Sequence, residues 1–207
     1  LPIYLFYMNK IEVLFVCMGN TCRSPTAEAV FRYYVAAAGL SQRIVVDSAG
    51  THAYHIGNPP DARSQRHAER RGFDLSALRA RQVVSDDYVR FDYVLAMDAD
   101  NFALLARDCP PAHAAKLALF MRYGERGEAI SVPDPYYGGT QGFERVLDMV
   151  EDAAQGLLGW PLVRSSGRAN RTGASTNAFF SSHCDGRIAR TSAPSWRIHA
   201  PEIGRAH

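Results

Sequence analysis

Net charge and cysteine are both scarce in this chain. Its 207 residues include 23 Lys and Arg against 21 Asp and Glu, so the net charge at pH 7 is only +2. A chain so nearly neutral has no strong electrostatic attraction to nucleic acid or to a membrane surface, and we expect neither as a partner. The cysteines are few and unevenly spaced, at Cys17, Cys22, Cys109 and Cys184, which argues against a secreted disulfide framework. We therefore expect a protein of a reducing compartment, located in the cytoplasm.

Metal-ligand clusters and membrane spans are absent from the sequence as well. No group of His, Cys and Asp residues has the spacing of a metal site, so the sequence predicts neither a metal nor another cofactor. The apolar stretch at residues 1–7 lacks the basic start and the small-residue cleavage site of a signal peptide. It is also too short to cross a bilayer. At 207 residues, of which 47% are hydrophobic and 21% charged, the chain has the composition of an ordinary globular protein with one sizeable core.

The two ends of the chain differ in character from its middle. Residues 1–7 precede Met8 and are expected to be an upstream or non-native extension. Residues 161–207 contain seven Arg, no Lys and only two acidic residues, and they have neither helical nor strand periodicity. We expect a disordered basic tail there, either the product of a frameshift or read-through or a native extension that binds an acidic partner. The sequence therefore predicts one domain at residues 8–160.

Strand-like and helix-like segments alternate between these ends. Strands are predicted at residues 12–16, 44–47, 93–97 and 116–120. Helices are predicted at residues 24–38, 62–71, 99–107 and 141–158. Such alternation predicts a single-domain α/β fold, in which a four-stranded parallel sheet has helices on both faces in a Rossmann-like, three-layer arrangement. Ligands of such sheets bind at the carboxyl ends of the strands.

The segment that begins at Cys17 carries the strongest functional signal. Cys17 ends an apolar run, residues 13–16, and is followed after five residues by Arg-Ser and a helix-like pattern. A strand that turns tightly into a helix collects backbone N–H groups and the positive end of the helix dipole around one point, where phosphate can bind. The same donors favour the nucleophilic thiolate form of Cys17, and Arg23 can donate two parallel hydrogen bonds to phosphate oxygens. The other residues of this predicted phosphate loop are Met18, Gly19, Asn20, Thr21, Cys22 and Ser24.

Two motifs connect the chain to a known family. Residues 13–32, which read VLFVCMGNTCRSPTAEAVFR, resemble the signature of the low molecular weight protein tyrosine phosphatases, and DPYYGG at residues 134–139 resembles their general-acid loop. Shorter matches lie at residues 56–61, 80–82 and 91–98. The resemblance extends over residues 10–160. It implies hydrolysis of phosphotyrosine in proteins through a phosphocysteine intermediate on Cys17, with Asp134 as general acid and base and with no metal.

The substrate and partners follow from the same resemblance. Tyr136 and Tyr137 lie two and three residues after Asp134. They are expected to form one wall of a pocket for a flat aromatic ring. The resemblance implies that Tyr54 forms the opposite wall. It also implies phosphotyrosine-containing proteins as partners, among them a bacterial tyrosine kinase, and a protein that is a monomer or a weak dimer.

Other side chains of the loop have predicted supporting roles. The Ser24 hydroxyl can donate a hydrogen bond to the Cys17 sulfur, which stabilises the thiolate both as nucleophile and as leaving group. Asn20 is expected to take a left-handed backbone conformation and to brace the loop, because Asn tolerates that region. Cys22 lies five residues after Cys17. The two sulfurs could form a protective disulfide under oxidation, and packing in the core is the alternative role of Cys22.

One position departs from the pattern of the family. Relatives often carry a His just before the Ala-Arg-Gln stretch, and this His braces the phosphate loop. Leu78 or Arg79 occupies that position here. We therefore expect the bracing of Asn20 to be altered.

Three alternative functions differ in what they require of the sequence. A protein arginine phosphatase would share the fold and the mechanism. Thr21 favours this alternative, because relatives that act on phosphoarginine resemble this chain in having Thr at the position. A thiol-dependent arsenate reductase needs two further cysteines near residues 85–100, where this chain has none, the next being Cys109. A phosphate-binding module without catalysis would leave Asp134 and Ser24 without a role.

Overall fold

A four-stranded parallel sheet forms the middle layer of the fold. The computed structural model describes residues 10–127, 129–136 and 138–167. The strands are β1 (Ile11–Cys17), β2 (Ile44–Gly50), β3 (Tyr93–Ala96) and β4 (Leu117–Leu119), in the spatial order β2-β1-β3-β4. β1 is a central strand that pairs with β2 on one side and with β3 on the other. Its residues 13–16 are fully buried, which explains why they form an unbroken apolar run.

Five helices and two short 3-10 segments accompany the sheet within the described part of the chain. The helices are α1 (Arg23–Ala37), α2 (Ala62–Glu69), α3 (Ser85–Arg90), α4 (Ala99–Asp108) and α5 (Gly139–Gly167). The 3-10 segments, Pro111–Lys116 and Phe120–Tyr123, flank β4. Aspartates begin two of the helices: Asp61 accepts a hydrogen bond from the Arg63 N–H in α2, and Asp98 accepts one from the Asn101 N–H in α4.

Alternate residues of β1 face opposite sides of the sheet. Val13, Phe15 and Cys17 belong to a large core cluster together with side chains of α1, α2 and α5. Leu14 and Val16 belong to a second cluster together with side chains of α3 and α4. The two-residue period of a strand produces this division. The predicted α/β fold, with helices on both faces of a four-stranded parallel sheet, is confirmed.

Several elements differ from the prediction, among them β2, which continues to Gly50 rather than ending at residue 47. The sequence does not predict α3, because its six residues are too few to show a helical period. β4 has three residues rather than five, since the chain enters a 3-10 segment on either side of it. α5 continues to Gly167, nine residues beyond its predicted end. The predicted domain boundary at residue 160 therefore falls within this helix.

The predicted extension and most of the predicted tail lie outside the described residues. This holds for residues 1–9 and 168–207, which include Cys184, so the division of the chain into extension, domain and tail stays a prediction. None of the helices among the described residues combines the length and apolarity that a bilayer span requires.

α5 passes very close to the chain at Tyr123. A Cβ atom at Gly156, in the interior of α5, would lie 1.9 Å from the Tyr123 carbonyl oxygen. Glycine costs a helix about 1 kcal/mol relative to alanine. Here the close approach of the Tyr123 backbone leaves no room for any other residue, so packing overrides helix propensity.

Candidate active site

The turn from β1 into α1 places hydrogen-bond donors around the Cys17 sulfur. Cys17 is the last residue of the central strand and is 3% exposed. Its Sγ atom lies 3.1 Å from the Ser24 hydroxyl oxygen and accepts a hydrogen bond from the Asn20 backbone N–H at 3.3 Å. The Asn20 N–H stabilises negative charge on sulfur, as does the Ser24 hydroxyl when it donates to the sulfur, and the first turn of α1 adds the positive end of its dipole. The predicted contact between Ser24 and Cys17 is present.

The Ser24 hydroxyl has a defined set of partners. Its oxygen accepts a hydrogen bond from the Asn20 side-chain amide at 2.9 Å. The Ala49 carbonyl oxygen lies 3.2 Å away as a second acceptor for the one hydroxyl proton. The Ser24 hydroxyl can donate its one hydrogen bond either to the Ala49 oxygen or to the Cys17 sulfur. When the sulfur is a thiolate it is the stronger acceptor, because it carries a full negative charge.

Asn20 connects the phosphate loop to β2 and to the chain near residue 81. Its φ angle of 53° lies in the left-handed region, which agrees with the sequence prediction. Besides Ser24, the side-chain amide donates to the Ser48 hydroxyl at 2.8 Å, and its oxygen accepts from the Arg81 backbone N–H at 2.9 Å. Because Asn20 is 2% exposed and its side chain has these partners, it attaches the loop to both of these segments.

This bracing network includes residues that sequence reasoning missed. At the departure from the family pattern, neither Leu78 nor Arg79 bonds to Asn20, and the Arg81 backbone and Ser48 provide the contacts. The available signal for Ser48 is a small polar residue near the end of β2, directly after Asp47, in a strand that begins with three apolar residues.

A close backbone contact fixes the other side of the phosphate loop. The Thr51 N–H donates to the Cys17 carbonyl at 2.9 Å, and the His52 N–H donates to the Met18 carbonyl at 3.0 Å. A Cβ atom at Gly50 would lie 2.8 Å from that Met18 oxygen, so only glycine allows the approach. The loop that follows β2 is thereby held against the phosphate loop.

Arg23 extends from the start of α1 to two carboxylates on other elements. Its guanidinium is 3% exposed and forms an ion pair with Asp98, which follows β3, and a second with Asp134 at 2.9 Å. Burial opposes its charge, but the charges of Cys17, Asp134 and Asp98 together raise the pKa of Arg23 above its ordinary value. Arg23 is therefore a fixed cation. Sequence reasoning assigned no role to Asp98, although the residue lies in one of the quoted family matches.

Asp134 lies on a loop that is anchored to the end of β3. The Val132 N–H donates to the Met97 carbonyl at 2.7 Å, and the Val132 carbonyl accepts from Arg23 at 3.3 Å. The Asp134 carboxylate accepts the Tyr136 N–H at 3.0 Å through one oxygen and Arg23 through the other. Its side chain is 46% exposed, so it is accessible for proton exchange with a bound molecule. The structure thus brings together Cys17, Arg23 and Asp134.

The predicted pocket walls lie on two loops at this end of the sheet. Tyr54 is 72% exposed and stacks on the His52 ring, with ring centroids 5.1 Å apart. Its loop also contacts the phosphate loop at Gly19, where an added Cβ atom would meet the His55 ring at 2.9 Å. Tyr136 is 53% exposed, two residues after the acid. Tyr137, the third predicted wall residue, lies outside the described residues.

Cys22 is a buried thiol rather than a second nucleophile. Burial, with a smaller contribution from the Asp61 charge, raises the pKa of Cys22 to about 11, so the residue carries its proton near neutral pH. Cys17, Cys22 and Cys109 are all free. A disulfide between Cys17 and Cys22 under oxidation therefore stays a prediction. In the described ranges, no group of three or more His, Cys, Asp or Glu side chains is arranged to hold a metal ion.

The buried carboxyl of Glu28 extends the hydrogen-bond network of Asn20 through Ser48. Glu28 in α1 is 3% exposed and accepts a hydrogen bond from the Ser48 hydroxyl at 2.6 Å, while Arg32 pairs with its other oxygen. Burial outweighs these contacts and raises the pKa of Glu28 above its ordinary value of 4.5. The folded protein therefore binds this proton more tightly than the unfolded chain does.

Replacement of Glu28 by glutamine is expected to change how stability depends on pH. The stability that Glu28 contributes is fully present below the unfolded-state pKa of 4.5 and is lost as the pH rises through the raised folded-state pKa. A glutamine side chain does not titrate, so the Glu28→Gln variant does not lose this stability. The melting temperature of the variant minus that of the unmodified protein at the same pH should therefore increase as the pH rises from 4.5. Thermal unfolding at a series of pH values measures this, with exposed Glu69→Gln as the matched control. Parallel profiles for Glu28→Gln and the unmodified protein would contradict the assignment.

Comparison with known proteins identifies the family. A family model described as "low molecular weight phosphotyrosine protein phosphatase" matches residues 12–168. The human protein of that name is 46% identical over 149 residues, which cover 71% of this chain and 93% of the human one. The Schizosaccharomyces pombe protein of that name is 44% identical over 151 residues, or 72% of this chain and 96% of that protein.

A solved structure agrees with the sequence matches. The crystal structure of a protein tyrosine phosphatase from Entamoeba histolytica superimposes with a TM-score of 0.72 at 39% identity, and the match covers 77% of this chain and 99% of that one. The family, the fold and the phosphatase class of enzyme predicted from the sequence are thus confirmed. This chain belongs to the low molecular weight phosphotyrosine protein phosphatase family.

Proposed function

We propose that this protein hydrolyses phosphotyrosine in proteins through a phosphocysteine intermediate. The observation that carries the proposal is the convergence of a buried cysteine, a buried arginine and an accessible carboxylate. Cys17 ends the central strand, Arg23 begins α1, and Asp134 pairs with Arg23 from a loop more than a hundred residues away in sequence. These are the three groups that transfer of a phosphoryl group to a thiol requires.

In the first step, the Cys17 thiolate attacks phosphorus in line with the bond to the tyrosine oxygen. The S–P bond forms as the P–O bond breaks, and Asp134 gives its proton to the departing phenolate. Arg23 and the backbone N–H groups of the loop stabilise the charge on the three other phosphate oxygens. The ion pair with Asp98 orients the Arg23 guanidinium for this contact.

In the second step, water attacks the phosphocysteine and the Asp134 carboxylate accepts a proton from it. The P–S bond breaks, inorganic phosphate is released, and the Cys17 thiolate leaves. The Ser24 hydroxyl at 3.1 Å and the Asn20 N–H at 3.3 Å lower the energy of that leaving group. No cofactor takes part in either step as proposed.

The substrate and setting are part of the same proposal. The exposed rings of Tyr54 and Tyr136 suit the two sides of a phenyl group, and the relatives are named for phosphotyrosine. The proposed partners are phosphotyrosine-containing proteins, which include a bacterial tyrosine kinase. The proposed location is the cytoplasm, and the proposed state is a monomer or a weak dimer.

Matched peptides test the substrate. Two peptides of one sequence, with either phosphotyrosine or phosphoarginine at the same position, would be compared for kcat/KM at pH 5 to 7. We expect phosphotyrosine to be preferred by about 10² or more, because the pocket walls are aromatic. The Thr21→Ile variant is measured alongside, since it removes the hydroxyl group that favours the alternative function of a protein arginine phosphatase.

Each outcome of this experiment has a definite meaning. A preference for phosphotyrosine that survives Thr21→Ile supports the proposal. A preference for phosphoarginine keeps the proposed chemistry and overturns the proposed substrate. Turnover of neither peptide overturns the enzymatic function and leaves a phosphate-binding protein.

A further inference from the structure

Arg63, near the start of α2, contacts the loop that carries Asp134. One guanidinium nitrogen, Nη1, donates a hydrogen bond to the Tyr136 carbonyl at 3.1 Å. The same guanidinium lies 5.0 Å from the centroid of the Tyr136 ring and 4.9 Å from that of Phe143 at the start of α5. A cation packed over two aromatic faces is attracted by both rings. The Arg63 side chain therefore contacts both the backbone and the side chain of Tyr136 in this loop.

The other edge of the guanidinium is held by Asp61. The Arg63 Nε and Nη2 atoms donate to the two Asp61 carboxylate oxygens at 3.0 and 2.8 Å, which is a bidentate pair. Asp61 also accepts the Arg63 backbone N–H at 2.7 Å, so it caps α2. The hydrogen bonds from the Arg63 side chain, reinforced by those from the backbone, lower the pKa of Asp61 and keep it charged.

Asp61 in turn is attached to the phosphate loop. Its backbone N–H donates to the Thr21 carbonyl at 2.8 Å. On the far side of Arg63, the Tyr136 N–H donates to the Asp134 carboxylate at 3.0 Å. A continuous path of hydrogen bonds thus runs from the loop that binds phosphate, through Asp61 and Arg63, to the residue that orients the acid.

We infer that Arg63 is a positioning residue for the general acid. It sets the distance between the acid loop and the phosphate loop, so that the Asp134 carboxyl meets the oxygen of the leaving group when phosphorus meets Cys17. The inference rests on the proposed function, because Asp134 has a proton to deliver only if the reaction is phosphate-ester hydrolysis.

Arginine is suited to this position in a way that lysine is not. The contacts use two nitrogens for Asp61, a third for the Tyr136 carbonyl and the flat face of the guanidinium for two rings. An ammonium group has a single nitrogen and no flat face, so it cannot make these contacts at once. Arg63→Lys therefore keeps the charge and removes the geometry.

A misplaced acid has a signature that a loss of folding does not have. Protonation matters greatly when the leaving group is a poor one, such as the phenolate of phenyl phosphate. It matters much less for p-nitrophenyl phosphate, because the nitro group delocalises the charge of the departing oxygen. The ratio of kcat/KM for these two esters therefore reports on proton delivery in the first step, whereas a smaller fraction of folded enzyme lowers both values equally.

The experiment measures that ratio for the full chain and four variants. Arg63→Ala and Arg63→Lys test the residue, and Asp134→Ala supplies the reference for complete loss of the acid. Arg66→Ala is the matched control, since Arg66 is an exposed arginine of the same helix. We expect both Arg63 variants to lower kcat/KM about 10-fold for phenyl phosphate and less than about 2-fold for p-nitrophenyl phosphate, a fraction of the full effect of a general acid.

The outcomes separate this inference from the proposed function. An equal loss on both esters, or no loss, in folded Arg63→Lys would overturn the positioning role even if Arg63→Ala fails to fold. A changed ratio in Arg66→Ala would overturn it too, because a general charge effect would then explain the result. If the unmodified protein hydrolyses neither ester, or if Asp134→Ala leaves the ratio unchanged, the proposed function itself fails.

Discussion

Replacement of Cys17 by serine is expected to abolish turnover of phosphotyrosine peptides and to leave the fold intact. A serine hydroxyl is not ionised near neutral pH, and the donors around position 17 cannot make it a comparable nucleophile. The side chain is buried and close in size to cysteine, so the contacts with Ser24 and Asn20 can persist. Activity is measured as phosphate release from the peptide, and folding as the melting temperature.

Cys109 provides the matched control for this substitution. It is also free and buried, it donates to the Pro110 carbonyl at 3.4 Å, and burial raises its pKa. Because it belongs to the core cluster on the opposite face of the sheet, Cys109→Ser should keep full activity. Rapid quenching followed by intact mass measurement should find one phosphoryl group on the unmodified protein and none on Cys17→Ser. Retained turnover in Cys17→Ser would exclude Cys17 as the nucleophile.

Replacement of Arg23 by lysine is expected to lower kcat/KM for phosphotyrosine peptides by about 10³, the scale of an arginine that stabilises phosphoryl transfer. The charge is retained, so the loss measures the geometry of the guanidinium. Arg23 contacts Asp98, Asp134 and the Val132 carbonyl from one buried position. A lysine ammonium cannot satisfy these partners and also form two parallel bonds to phosphate.

The control for Arg23→Lys is the same substitution at Arg70, an exposed residue that follows α2. Arg70→Lys should leave kcat/KM unchanged, and the melting temperature of Arg23→Lys should be compared with it. A loss of less than about 10-fold in folded Arg23→Lys would mean that charge alone is sufficient, and the bidentate contact would then be wrong.

The fold could be predicted wherever a pattern is local and long enough. The apolar run at residues 13–16 marks the central strand, because a strand covered on both faces has no polar side. α4 was predicted within one residue of its end, since ten residues show a helical period. Six-residue α3 shows none, and β4 is too short to be separated from the 3-10 segments around it. Gly156 carries no local signal for the close approach to Tyr123 that requires it.

The sequence by itself determined the class of fold and pointed to the two segments on which the proposed function rests, the turn after Cys17 and the motif that begins at Asp134. Cys17, Arg23 and Ser24 lie within eight consecutive residues, and a tight turn between a strand and a helix is governed by its own backbone. Asp134 is predicted because its motif resembles that of the family, whereas its contact with Arg23 has no signal in the sequence.

Only the tertiary structure decided which side chains support these groups. Asp98 is 75 residues from Arg23, Ser48 is 28 residues from Asn20, and the Tyr136 carbonyl is 73 residues from Arg63. Such pairs form because of the order of the strands and the rotation of the helices against them. These are properties of the packed core, and no segment of sequence specifies them alone.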